Sequence, residues 1–113
     1  MATKAEVTKA LERMMARLDG NDGAVRTAIP GRKVLCCRVP DLDAAWFSVI
    51  DDGHVSPPAE MPVPDSVDVT LQVGSDDLVE LAEERASFLS SFLSGKVRVQ
   101  ASMMDLLRLR TLL

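Results

Sequence analysis

Apolar residues near the start of the chain repeat at helical spacing. Val7, Leu11, Met14 and Leu18 fall at i, i+4, i+7 and i+11, which predicts one helix from Thr3 to Leu18 with a single apolar stripe. Thr3 followed by Glu6 fits a capping box. Asp19-Gly20-Asn21-Asp22-Gly23 supplies turn residues that stop the helix. The stripe is expected to pack on a sheet, with a dimer seam as the alternative.

The middle of the chain changes to a two-residue period. Arg32 to Val39 reads as a strand, with Val34 and Cys36 on one face and Leu35, Cys37 and Val39 on the other. After the turn Pro40-Asp41-Leu42-Asp43, Ala45 to Asp51 reads as a second strand. Asp52-Gly53 is a hairpin signal, and His54-Val55-Ser56 begins the return strand, so an antiparallel meander is expected. Ala24 to Pro30 is too short to assign. Ser56 to Pro64 holds four prolines and predicts an extended loop or an edge segment, because proline cannot donate to a ladder.

Val67 to Val73 is the clearest strand, with Val67, Val69, Leu71 and Val73 alternating with Asp68, Thr70 and Gln72. Gly74 ends it. Ser75 is expected to cap a helix whose first turn carries Asp76 and Asp77. Apolar pairs continue through Phe88-Leu89 and Phe92-Leu93 until Gly95-Lys96 breaks the helix, and Val97, Val99 and Ala101 mark a last strand. Met103 to Leu113 predicts a final helix in which seven of eleven residues are Leu or Met. A helix on a flat core needs an apolar stripe on one side only. This one spreads its apolar residues most of the way around, so its second side must meet a ligand cavity, a partner subunit or a membrane.

Composition narrows the function. The 113 residues make one domain, 1–113, and the formal net charge of −4 argues against nonspecific nucleic-acid binding. No apolar run is long enough to span a bilayer, and the charged N-terminus is not a secretory signal. Only 4% of residues are aromatic, so aliphatic side chains and six Met fill the interior. Adjacent Cys36 and Cys37 cannot easily bridge each other, which suggests a reducing, cytoplasmic setting. His54, the only histidine, reads as an exposed hairpin residue. Asp76, Asp77, Glu80, Glu83 and Glu84 read as a solvated helix face rather than catalytic carboxylates. Arg108 and Arg110 interrupt the apolar terminal helix and read as long stems that snorkel to water. No nucleophile motif, phosphate loop, cofactor site or metal-ligand spacing stands out, so catalytic residues, metal and cofactors are all expected to be none.

Asp68-Val69-Thr70-Leu71 leading into Asp76-Asp77-Leu78, then Phe92-Leu93-Ser94-Gly95-Lys96-Val97-Arg98-Val99 and a Met/Leu-rich end, resembles the sterol carrier protein-2 (sterol-binding domain) family. A free-standing bacterial-type member is the better match. The sequence departs from the family at Leu93, at Ala101-Ser102, and in lacking a peroxisomal Ser-Lys-Leu ending. The resemblance implies an α+β fold: a mostly antiparallel five-stranded sheet whose flanking helices enclose an apolar cavity. It further implies a non-enzymatic carrier of a lipid or other apolar small molecule. The ligand would lie in a tunnel between the sheet and the C-terminal helices, and the alternative reading of Arg108 and Arg110 is that one of them lies at its mouth and meets an acidic or phosphate lipid head.

The candidate wall is Phe47, Val49, Val69 and Leu71 from the sheet, with Phe88, Leu89 and Phe92 before the last strand and Met103, Met104, Leu106, Leu107 and Leu109 after it. Which strand face turns inward stays open, because a one-residue slip flips every side chain. Transient membrane contact or a homodimer would suit the same surface. The alternative is an interaction module in which the terminal helix forms a homodimer or partner interface.

Overall fold

Helix α1, Lys4–Asp19, begins on the predicted capping box: Thr3 Oγ1 accepts from the Glu6 amide at 3.1 Å, and the Thr3 amide donates to Glu6 Oε1 at 3.1 Å. The computed structural model describes residues 1–20, 22–60, 66–104 and 107, and the side chain of Asp22 is not among what is described. The unassigned stretch after α1 is a short helix, α2, Asp22–Ala28, which buries Val25. The strands are β1 Arg32–Val39, β2 Ala44–Asp51, β3 His54–Val55, β4 Ala59–Glu60, β5 Val69–Val73 and β6 Val97–Ala101. Helices α3, Ser75–Ala82, and α4, Phe88–Leu93, lie between β5 and β6.

The architecture is α+β, as expected, with a six-stranded sheet rather than a five-stranded one. Its order is β3-β2-β1-β5-β6, with β4 also pairing with β2. The extra strand comes from the proline-rich stretch. Ala59 and Glu60 pair with Phe47 and Trp46, so this segment forms an edge strand, where missing donors cost least. The β1-β2-β3 meander is antiparallel, and Asp52 and Gly53 take positive φ at its hairpin.

The sheet is mixed because β5 runs parallel to β1. β2 occupies one side of β1, and the alternation along β5 states a buried face but not a direction. Asp68 extends this central pairing. Its amide donates to the Val34 carbonyl at 3.0 Å, and its carboxylate accepts from the Val34 amide at 2.7 Å.

One sheet face is covered by helices. Val7 and Leu11 of α1 and Leu78 and Leu81 of α3 share a buried cluster with Cys37, Val39, Trp46, Val73 and Val97. The α1 stripe therefore packs on the sheet, with Met14 partly buried against the same cluster. Leu18 and α2 meet Ile50 and Val55 in a second cluster.

Two sequence expectations about α3 change. Ser75 is its first residue rather than its cap, and Gly74 occupies the capping position. The side-chain cap arrives from elsewhere in the chain: Asp41, beside the β1–β2 turn, accepts from the Ser75 amide at 3.0 Å and from the Ser75 hydroxyl. The expected single long helix is broken at Glu84, which takes φ +61, and Ser87 then caps α4 by accepting from the Ser90 amide at 3.1 Å. In the expected final helix, Met103, Met104 and Leu107 are helical. Leu106, Leu109, Arg108 and Arg110 lie outside the described residues.

Candidate functional site

Register divides the sheet candidates between two faces. Cys36 pairs with Phe47 and with Thr70, whereas Cys37 pairs with Trp46 and with Leu71. Phe47 and Val49 thus project from the face away from α1 and α3. Val69 and Leu71 project towards the helices, where Leu71 packs on the main core. These four residues do not form one wall.

On the outer face, Phe47 and Val49 line a groove of about 510 Å³, together with Val34, Pro57 and Ala59. Its rim carries Arg32, Ser56, Ser66 and Asp68. Arg32 stands across from Asp51 in the β1–β2 register, so both signs of charge meet there. Proline and alanine gave no sequence signal for a lining role, because the pairing of β4 with β2 is what brings them beside Phe47.

The α4 candidates also divide. Phe88 and Ser91 turn inward, with Phe88 packed against the main core and Ser91 buried. That orientation sends Leu89, Phe92 and Leu93 outward at 53%, 42% and 75% exposure. After β6, Met103, Met104 and Leu107 are exposed at 74%, 58% and 53%. Five of these six exposed residues are among the candidate wall residues read from the sequence, and Leu93 is not. Apolar residues occupy four of the six positions in α4, so either side could have faced the core. A buried serine on the inner side leaves no trace in hydropathy. Three of the outward residues precede β6 in the chain and three follow it, and β6 is the terminal strand of the sheet order.

His54 is exposed, with Nδ1 3.8 Å from Asp19 Oδ1, and that same oxygen accepts from the Val55 amide at 3.0 Å. Among the described residues, no group of three or more His, Cys, Asp or Glu side chains could hold a metal ion. No helix among them is long and apolar enough to cross a membrane.

Cys36 and Cys37 are unbridged and buried on opposite faces. Burial pushes the Cys37 thiol up to about 12, and Cys36 is raised for the same first reason. A thiol so protonated is a poor nucleophile. Colorimetric thiol titration is therefore expected to find neither cysteine in the native protein and both after denaturation. Fast labelling of native Cys37 would contradict this burial.

The Asp41–Ser75 contact predicts a pH effect. The Ser75 hydroxyl holds the Asp41 carboxyl below its ordinary range. The sign follows from linkage: a depressed carboxylate stabilises the fold above its unfolded pKa, and that contribution fades as acid protonates the folded form. Asp41→Asn should flatten the loss of stability below about pH 4 relative to the parent. Urea melts from neutral to acid pH test this, and parallel curves for the two proteins would reject it.

Comparison with known proteins bears on these surfaces. A model of the SCP-2 sterol transfer family matches residues 5–113. Among solved structures, sterol carrier protein 2-like 2 from Aedes aegypti is 20% identical with TM-score 0.58, covering 93% of this chain and 97% of that one. A palmitated form of SCP2L2 from the same organism is 21% identical with TM-score 0.56, covering 89% and 90%. A UbiJ-SCP2 ubiquinone synthesis protein is 22% identical with TM-score 0.58, covering 96% and 89%. The inverting sec-alkylsulfatase Pisa1 from Pseudomonas sp. is 18% identical with TM-score 0.59 over 80% of this chain, which spans only 13% of that enzyme. Comparison with the curated proteins finds no match.

Proposed function

Because the chain belongs to the SCP-2 sterol transfer family, we propose that it binds a lipid or other apolar small molecule and carries it without chemical change. The observation that carries this reading is the outward apolar set of Leu89, Phe92, Leu93, Met103, Met104 and Leu107. Nearly every other large apolar side chain among the described residues is at least partly buried, Met1 being the exception. So many exposed large apolar side chains, gathered in the two segments on either side of β6, support an apolar occupant. The ligand's apolar part would lie between the sheet-and-α4 side and the segment after β6, as a tunnel wall assembled from both. A relative with the same fold in palmitated form supports an acyl chain as one such occupant. The Met pair suits a ligand of variable shape. Two unbridged cysteines favour a reducing compartment, so the cytoplasm is the proposed place of work.

Titration with a fluorescent acyl probe in vesicle-free buffer tests the proposal, alongside native mass spectrometry of the purified chain. Saturable uptake is expected. The paired change Leu89→Ser and Phe92→Ser should weaken it at least about tenfold, since each buried apolar side chain contributes roughly 1.5–3 kcal/mol. Both positions are exposed, so the variant should keep its far-ultraviolet circular dichroism. An empty protein that takes up no probe would defeat the carrier reading.

The same exposure supports one other reading, an interaction module in which the apolar segment after β6 forms a homodimer or partner interface. Light scattering separates the two. A dimer that excludes the probe favours the interface, and a monomer that takes it up favours the carrier.

A further inference from the structure

Helix α4 does not turn its apolar side to the core. At about 100° per residue, Phe88, Phe92, Leu89 and Leu93 fall in that angular order within an arc of about 140°, and Ser90 and Ser91 occupy the opposite side. A helix packed on a core is expected to turn such an arc inward. Here the inward direction lies between Phe88, which packs on the main cluster, and Ser91, which is buried. The apolar arc is therefore centred about 100° away from it. Exposure rises in the order Phe92, Leu89, Leu93, as their angles from the core increase.

A residue with positive φ stands on each side of α4. Before it, Glu84 at φ +61 ends α3: the Glu84 amide donates to the Leu81 carbonyl at 3.1 Å, and the Arg85 amide to the Glu80 carbonyl at 2.9 Å. Arg17 of α1 secures that end, donating to the Ala82 carbonyl and to the Glu84 carboxylate at 2.7 Å each. The close of α3 is thus held without help from α4. After α4, Gly95 takes φ +83, and a Cβ placed there would meet nothing within 4 Å, so this joint has room to change. Between the joints, α4 has six residues and buries only Ser91.

We propose that α4 rolls by about a quarter turn between Glu84 and Gly95, exchanging the observed orientation for one in which Phe92 and Leu89 face the core and Ser91 faces out. The rolled orientation buries two more large apolar side chains and gives up part of the Phe88 contact. Its link to function rests on the carrier reading. A lipid covers Leu89 and Phe92 only while they point outward, so bound lipid holds α4 in the observed orientation. Release of the lipid lets α4 roll and withdraw that apolar surface from water.

Thiol labelling of the full chain carrying Ser91→Cys tests the roll, with far-ultraviolet circular dichroism as the check on folding. Cys37 serves as the internal reference for global opening. In lipid-free buffer the introduced thiol should react at least about tenfold faster than Cys37. Adding Leu89→Ser and Phe92→Ser removes what the rolled orientation buries, so labelling should slow about tenfold or more. A helix that merely detaches would label as fast or faster with those changes, and that result overturns the roll. So does labelling no faster than that of Cys37.

Ser91→Asp provides a second test, because its carboxylate reaches water only if α4 rolls. Its melting temperature should stay within about 4 °C of the parent, and should fall much further when Leu89→Ser and Phe92→Ser are added. An unfolded Ser91→Asp chain overturns the proposal. Palmitate separates the roll from the carrier reading. Bound palmitate should slow Ser91→Cys labelling several-fold, and bound palmitate that leaves the rate unchanged refutes the coupling of roll to lipid. A chain that takes up no palmitate defeats the carrier reading, while labelling in lipid-free buffer still decides the roll.

Discussion

Trp46→Ala is expected to leave much of the protein unfolded at physiological temperature. Trp46 is 2% exposed in β2 and lies in the main core beside the α1 and α3 side chains. Its Nε1 donates to Thr8 Oγ1 at 3.1 Å, which ties the sheet to α1. Truncating a buried aromatic to alanine typically costs about 3–5 kcal/mol through lost burial and the cavity left behind. A domain of this size has only about 5–15 kcal/mol in total. Trp46→Phe keeps most of the ring volume and loses the hydrogen bond, so its cost should be smaller, about 1–2 kcal/mol. Urea denaturation followed by far-ultraviolet circular dichroism measures both, since tryptophan fluorescence disappears with the mutation. A cost below about 1 kcal/mol for Trp46→Ala would mean that the core closes around the gap.

Leu78→Ala comes next, with an expected loss of about 2–5 kcal/mol. Leu78 is fully buried on α3, against the cluster that holds Val7 and Leu11. It matters beyond its volume because α3 is short, at eight residues, and such a helix is marginal without tertiary contacts. Two anchors hold it: Leu78 inside, and the Ser75–Asp41 contact at its start. Losing the inner anchor should loosen α3 before the central strands, and α4 follows it in the chain. Native-state hydrogen exchange should then show protection falling first over 75–93 and later over β1 and β2. A uniform fall across all elements would mean that α3 has no independent opening.

The elements most legible in the sequence were those specified by local chemistry. The capping box at Thr3 and Glu6 needs only residues three apart, and it forms as read. The Asp52-Gly53 turn works in the same way, because both residues accept the positive φ the hairpin needs. The alternation in β1 correctly divided Cys36 from Cys37. Two features that the sequence reading missed depended on residues far apart in the chain. Nothing near Ser75 announces that Asp41 will cap its helix. Nothing within Val69–Val73 reveals that its neighbour runs parallel.

The candidate site followed the same rule. Counting apolar residues beyond what one core-facing stripe needs singled out the stretch from Met103 onward, whereas Leu89 and Phe92 came only from apolar pairs one turn apart. The sheet candidates could not be combined correctly, because only the β1–β2 and β1–β5 registers assign Phe47 to one face and Leu71 to the other.

The parallel pairing of β1 with β5 bears on how the chain comes to be folded. During synthesis β1 emerges early and can close its hairpin with β2 at once, but its second edge must wait for β5. Until then the run Val34-Leu35-Cys36-Cys37 presents unpaired amides and carbonyls beside apolar side chains, a template for pairing with another chain. Closing Leu35 onto Val69 is a long-range step, which slows folding more than local turns do. The nascent chain is thus most prone to aggregation between the completion of β2 and the arrival of β5, and a chaperone or slower translation across that interval should raise the yield of folded protein.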